Sequence, residues 1–345
     1  MSYSIVDLLR NAKKMKCSDV HISTGNFPLV RLDGDMMAVK DSSPFSANQV
    51  IDMLNVVMND IQKKVYKEKL EVDFAVQIEE GLRFRVNAFN TINGPAAVFR
   101  EIPIEIKDLT SISAPEPIRR LCYAEKGLIL VVGPTGSGKS TTLAAMIDQI
   151  NMVSPGHIIT IEDPVEFVHK SKKSLINQRE VGASTLSFSN ALRSALREDP
   201  DVILVGELRD METIQLALTA AETGHLVLAT LHTSSAAQTI NRIIDVFPTE
   251  DKAVIRSMLS TSIRAVVSQR LLKKDGGGRC AAYEIMIANS SIRNLIREDK
   301  IPQINSIIEL GKQAGMLTMK DSIIDLLKRR VITKDTHDEA LEALE

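Results

Sequence analysis

The chain has 345 residues, 44% of them hydrophobic and 25% charged, with a formal net charge of −2. That length exceeds one ordinary core, so two domains are expected. The charge balance, the absence of Trp and an aromatic content of 4% leave no electrostatic or base-stacking case for nucleic acid, and none for an anionic membrane.

Residues 1–104 read as a small α+β domain. Ile5, Leu8, Leu9 and Ala12 have helical spacing, and the charges within this pattern argue against a signal peptide. Strands are expected over 20–23 and 29–39, the latter folded at a hairpin turn on Asp33-Gly34. Residues 47–70 return to helical spacing. Three more strands follow at 73–78, 82–88 and 95–100, with a turn at Asn93-Gly94. The stretch from Pro103 to Pro117 holds three prolines and little periodicity, so 105–117 reads as an interdomain linker.

From residue 118 to 345 the pattern is that of an α/β domain. Apolar runs at 127–132, 157–162, 201–206 and 225–231 alternate with helices, as a parallel sheet buried on both faces requires. The last 60 residues read as helical, with Gly276-Gly-Gly278 as a flexible break. No run approaches 18 apolar residues, so no membrane span is expected. Cys17, Cys122 and Cys280 are far apart and form no C-x-x-C pair. This argues against zinc and disulfides, and for a cytoplasmic location.

The segment Gly133-Pro-Thr-Gly-Ser-Gly-Lys-Ser-Thr141 fits G-x-x-x-x-G-K-[ST] between an expected strand and an expected helix. Its residues Gly133, Pro134, Thr135, Gly136, Ser137, Gly138, Lys139, Ser140 and Thr141 are the candidate phosphate cradle. Gly136 and Gly138 let backbone N–H groups turn toward phosphate oxygens. Lys139 would reach the β/γ-phosphates, and Ser140 would ligate Mg2+.

Ligands of such sheets bind at the carboxyl ends of the strands. There the chain places Glu162, Asp163 and Glu166 after one strand, Glu207 after a second and His232 after a third. Glu207 is the candidate Mg2+ partner, directly or through water. Glu166 is the candidate for orienting or deprotonating the attacking water, with Glu162 and Asp163 as rivals. His232 is a candidate γ-phosphate sensor. His225 stands at the opposite end of the same strand, on the order of 20 Å from His232 at about 3.3 Å per residue.

In 82–88, Arg83, Arg85 and Asn87 alternate with apolar residues. A turn near Ile92-Asn93 would set Arg100 opposite Arg85. The pair reads either as a solvated sheet face with a nearby acid or as arginine fingers that reach a neighbouring subunit's ATP. Ser291–Glu298 is an amphipathic helix with Ile292, Leu295 and Ile296 on one face and Arg293 and Arg297 on another.

Taken together, these residues resemble the secretion-ATPase superfamily, and within it the type IV pilus retraction ATPases, over nearly the whole chain. Gly133–Thr141 is similar to the Walker A loop. Thr160–Phe167 resembles the aspartate box, with Glu166 at the catalytic glutamate. Leu196–Asp210 resembles the Walker B region, and Thr223–Thr233 the histidine box, which puts both His225 and His232 among the nucleotide-site residues. Arg85 and Arg100 fall at arginine-finger positions of a PAS-like N-terminal domain. Ser291–Glu298 resembles the retraction-associated A-I-R-N-L-I-R-E motif, differing at Ser291.

The resemblance implies a RecA-like P-loop domain and a homohexameric ATPase using ATP and Mg2+. It implies pilus disassembly at the inner face of the cytoplasmic membrane, reached through an inner-membrane platform protein (PilC-like). A second retraction ATPase (PilU-like) is a further candidate partner. An assembly or secretion ATPase of the same superfamily, or an accessory ring subunit with low turnover, are the alternative readings. The assembly enzymes carry an extra N-terminal domain and usually a four-cysteine zinc motif, and neither is read in this sequence.

Overall fold

A computed structural model describes residues 4–32, 35–40, 42–79, 81–102 and 105–344. The chain divides into two compact units: Met1–Glu105 with Pro164–Val168, and Ile106–Asp163 with His169–Glu345.

The first unit contains α1 (Ile5–Lys14), β1 (Asp19–Ser23), β2 (Leu29–Leu32), β3 (Asp35–Ala38), α2 (Ala47–Val57), α3 (Asp60–Lys69), β4 (Glu71–Glu79), β5 (Leu82–Thr91) and β6 (Gly94–Ile102). The strands make one antiparallel sheet in the order β3-β2-β1-β6-β5-β4. Its apolar face carries Val20, Ile22, Phe84, Val86 and Phe99 against Leu8 and Leu9 of α1 and Val50 and Leu54 of α2. Phe84 and Phe99 meet edge to face, 6.5 Å between ring centres.

The expected helix over 47–70 is two helices. Asn59 starts α3 with a capping box: its side chain accepts from the Gln62 N–H, while the Asn59 N–H donates to the Gln62 side chain. That reciprocal pair favours a fresh helix start over continuation. The strand expected over 29–39 is the antiparallel pair β2 and β3, with Leu32 opposite Asp35. The Asp33-Gly34 turn itself lies outside the described residues.

The second unit contains α4 (Glu116–Leu121), β7 (Gly127–Val132), α5 (Lys139–Val153), β8 (His157–Glu162), β9 (Leu175–Glu180), α6 (Phe188–Ala195), β10 (Val202–Val205), α7 (Met211–Glu222), β11 (Leu226–Leu231), α8 (Ala236–Asp245), α9 (Lys252–Ser262), β12 (Ile263–Lys273), β13 (Arg279–Ile287), α10 (Ser290–Arg297), α11 (Ile304–Leu310), α12 (Met319–Lys328) and α13 (Lys334–Glu342). The sheet order is β13-β12-β7-β11-β10-β8-β9, parallel except for the antiparallel pairing of β13 with β12.

Alternate residues of β7 enter two cores. Leu128, Leu130 and Val132 pack on the side of α6 to α10, while Ile129 and Val131 pack on the side of α4 and α5. This is the mixed α/β fold with a parallel sheet buried on both faces that the apolar runs imply.

Three features of this unit differ from the sequence reading. Residues 263–287 form a β-hairpin that extends the sheet, and Gly276, Gly277 and Gly278, all at positive φ, are its turn and not a break among helices. The polar strand β9 closes the other edge. Within the stretch read as linker, Leu109 is 1% exposed and belongs to the core, and α4 begins at Glu116.

Candidate active site

The phosphate loop connects β7 to α5 across the carboxyl edge of the parallel sheet. Gly133, Gly136 and Gly138 all have positive φ, at 148°, 77° and 89°. At Gly133 a Cβ would lie 2.3 Å from the Gln269 carbonyl oxygen, so only glycine fits. Gly136 faces open space, with nothing within 4 Å of a Cβ there.

The loop is braced from β12. Gln269 donates from Nε2 to the Ser137 carbonyl (2.8 Å), and its Oε1 accepts from the Thr142 hydroxyl (2.8 Å). One buried amide thus ties the loop to the first turn of its own helix. Lys139, 8% exposed, donates from Nζ to the carbonyls of Gly133 (2.8 Å) and Pro134 (3.0 Å). The lysine is folded onto the loop it would leave to reach a phosphate. The Ser137 hydroxyl is buried with no hydrogen-bond partner among the described residues. A loop with an open glycine, an amine that reaches the loop's own carbonyls and an orphaned hydroxyl fits a phosphate group.

Glu207 stands just past β10. The Leu208 N–H donates to the Thr230 carbonyl (3.0 Å), so the backbone runs on beside β11. Leu208 turns into the core at 6% exposure, and its two neighbours project the other way. The Glu207 carboxylate, 15% exposed, is held by Arg209 on one oxygen and lies 3.2 Å from His232 Nε2 on the other. Burial first, then the charges of Lys139 and Arg209, push the His232 imidazole below its ordinary value. His232 is therefore neutral near pH 7, and its Nε2–H donates to Glu207.

Asp163 lies 4.0 Å from the Arg209 guanidinium. Glu162 faces its own sheet: its Oε1 accepts from Thr160 (2.7 Å) and Gln178 (3.2 Å). The structure thus assembles Lys139, Glu207, His232, Arg209 and Asp163 into one electrostatic cluster beside the loop. Glu166 is half-buried on Pro164–Val168, which groups with the first unit.

His225 stands apart from this cluster, at the far end of its strand. It precedes β11, at the amino edge of a sheet whose carboxyl edge carries the phosphate loop, and its Nδ1 meets the Ala220 carbonyl at 2.9 Å and the Thr223 hydroxyl at 3.3 Å. It closes the end of α7 and does not join this chain's phosphate-loop site.

In the first unit, Arg85 and Arg100 are opposite one another in the β5–β6 register. Each meets an acid: Arg85 pairs with Asp73 (2.6 Å) and Arg100 with Asp19 (2.8 Å). Arg293 of α10 donates to the carbonyls of Ser260, Thr261 and Ile263 at 2.7–2.9 Å, which caps α9, while Arg297 is exposed.

Sequence reasoning passed over Gln269, Arg209 and Glu284. Glu284 accepts from the Ala236 N–H (2.8 Å) at the start of α8, and burial raises its carboxyl above the ordinary range. Arg209 sat in full view two residues after Glu207. Gln269 carried no local signal, because its partners are more than 120 residues away.

Residues 2–314 match the family model of the type II/IV secretion system protein. The chain belongs to this family. Among its relatives, the twitching motility protein of Neisseria gonorrhoeae is 55% identical over 97% of this chain and 90% of its own length. The type IV pilus retraction ATPase PilT of Pseudomonas aeruginosa is 54% identical over 96% of both chains. The crystal structure of the pilus retraction motor PilT with bound ADP superposes with a TM-score of 0.91 at 45% identity, covering 98% of this chain and 97% of that one. Family membership and these likenesses make the chain an ATPase.

Among the described residues no group of three or more His, Cys, Asp or Glu could hold a metal by itself. No helix of the described residues is long and apolar enough to cross a membrane.

Proposed function

We infer that this chain is the ATP-hydrolysing motor of type IV pilus retraction. The observation that carries the reading is near-full-length identity of 54–55% to two proteins named for retraction and twitching. The complete phosphate loop and the Glu207 cluster support turnover over a low-activity accessory role.

The N–H groups of Gly136 to Thr141 would cradle the phosphates, with Lys139 moving from the loop carbonyls to the β/γ-phosphates. Ser140 and Glu207 would hold Mg2+, which supplies charge neutralisation on those phosphates when bound. A cavity of about 350 Å3 beside Gly138, Thr141 and Leu271 would receive the nucleoside. Glu166 would orient or deprotonate the water, and neutral His232 would sense the γ-phosphate while holding Glu207.

The working form would be a homohexamer in the cytoplasm, held at the membrane by a PilC-like platform protein, with a PilU-like ATPase as a further partner. Arg85 and Arg100 would leave Asp73 and Asp19 to reach a neighbour's ATP.

A deletion strain tests the reading. Excess surface pili with lost twitching supports retraction, and bald cells would support an assembly ATPase instead.

A further inference from the structure

The acid assigned to Mg2+ has both oxygens engaged by its own chain. Arg209 Nη2 contacts Glu207 Oε1, and His232 lies at Oε2. The two contacts differ in kind. His232 lies on Oε2, the oxygen that Arg209 leaves open. Arg209 is a permanent cation, and it occupies the oxygen and the charge that a metal ion or its bound water needs.

Arg209 also has a second acid to go to. Its side chain is 62% exposed, and its Nη1 lies 4.0 Å from Asp163, whose carboxylate is 41% exposed at the rim. A guanidinium presents two N–H edges, so one small rotation moves it from sharing both carboxylates to pairing with Asp163 alone. Leu208, anchored in the core and to Thr230, keeps the backbone fixed while the side chain moves.

We propose that Arg209 is a positioning residue that competes with the metal ion for Glu207, and that Asp163 receives it when the metal binds. The arrangement keeps a half-buried carboxylate neutralised without nucleotide and releases it only when Mg2+ arrives. This rests on the assignment of Glu207 to the metal.

The test titrates Mg2+ into the full chain at saturating fluorescent ADP and reads the half-saturating metal concentration. Nucleotide affinity without metal and the unfolding temperature are measured in parallel. Arg209→Gln should lower the half-saturating Mg2+ about fivefold, the scale of a partly exposed ion pair. Arg209→Lys should fall between it and wild type. Asp163→Asn should shift the value the other way, because the guanidinium loses its alternate partner. A merely structural role would move Arg209→Gln and Asp163→Asn in the same direction.

Glu207→Gln should raise the half-saturating Mg2+ and cancel the effect of Arg209→Gln in the double variant. Unchanged or weaker metal binding in Arg209→Gln, with Glu207→Gln behaving as expected, overturns the competition alone. Glu207→Gln without effect overturns the assignment of Glu207 to the metal and this inference with it.

Discussion

Arg100 donates from Nε to the carboxylate of Asp19 at 2.8 Å across the β1–β6 pair, and the two differ sharply in exposure: 70% for the arginine side chain, 7% for the acid. A buried acid thus aims an arginine whose far end is in solvent. Burial alone would raise the Asp19 carboxyl. Hydrogen bonds from Ser18 and Arg100 and the Arg100 charge outweigh that, so it lies below its ordinary value. A carboxyl with a depressed folded-state value stabilises the fold above the ordinary Asp range and loses that contribution as pH falls through the folded value. Asp19→Asn is therefore expected to be less stable than wild type at pH 7, with the gap closing below about pH 4. Thermal unfolding across pH measures this, and a gap that persists at pH 2 would contradict it.

Gln269 supports the phosphate loop through two buried hydrogen bonds. Gln269→Ala is expected to cost roughly 1–3 kcal/mol, since the Ser137 carbonyl and the Thr142 hydroxyl each lose their partner. The loss should appear as a lower denaturation midpoint and weaker ADP binding together. Weaker stability with unchanged ADP affinity would show that the brace does not shape the loop.

The glycines of the loop should separate by geometry. Gly133→Ala forces a Cβ into the Gln269 carbonyl and should abolish nucleotide binding. Gly136→Ala meets open space, and positive φ costs it only about 1 kcal/mol. Isothermal titration with ADP on both variants checks the order, and equal effects would count against the brace geometry.

Most of this site was legible because its chemistry is local. The loop spans nine consecutive residues, and the strand ends of β8, β10 and β11 announce their acids and histidine by apolar runs that stop. The Arg85–Arg100 pairing was also readable, because a turn near Ile92-Asn93 fixes the register of two adjacent strands. The β12–β13 hairpin was not. Ser268 and Gln269 interrupt its apolar run although both are buried, since they serve Ser234 and the loop through hydrogen bonds. Polar residues that are buried for a distant partner look like surface in a sequence. The separation of His225 from His232 was legible as well, because a six-residue strand between them carries the two to opposite edges of the sheet.

His232 should set an acid limb on turnover. Its imidazole titrates below the ordinary histidine range and is neutral at pH 7. Protonation would turn a donor with one free ring nitrogen into a cation beside Lys139 and Arg209. ATPase activity of wild type should therefore fall as pH drops through and below the ordinary histidine range, while His232→Gln should be slower at pH 7 and flatter toward acid pH. An identical acid limb in His232→Gln would place the titrating group elsewhere.

Shared sites in the ring are tested by mixing. Arg85→Ala and Lys139→Ala subunits are each expected to be inactive alone and to recover part of the ATPase activity in mixed rings. No recovery in rings shown to be mixed would contradict fingers acting on a neighbour's nucleotide.

The central claim is retraction driven by this ATP site, and the most direct measurement watches labelled pili on living cells that carry Lys139→Ala in place of the wild-type chain. The account predicts pili that extend normally and do not shorten actively. Active shortening at the wild-type rate, or cells that never extend a pilus, would contradict it.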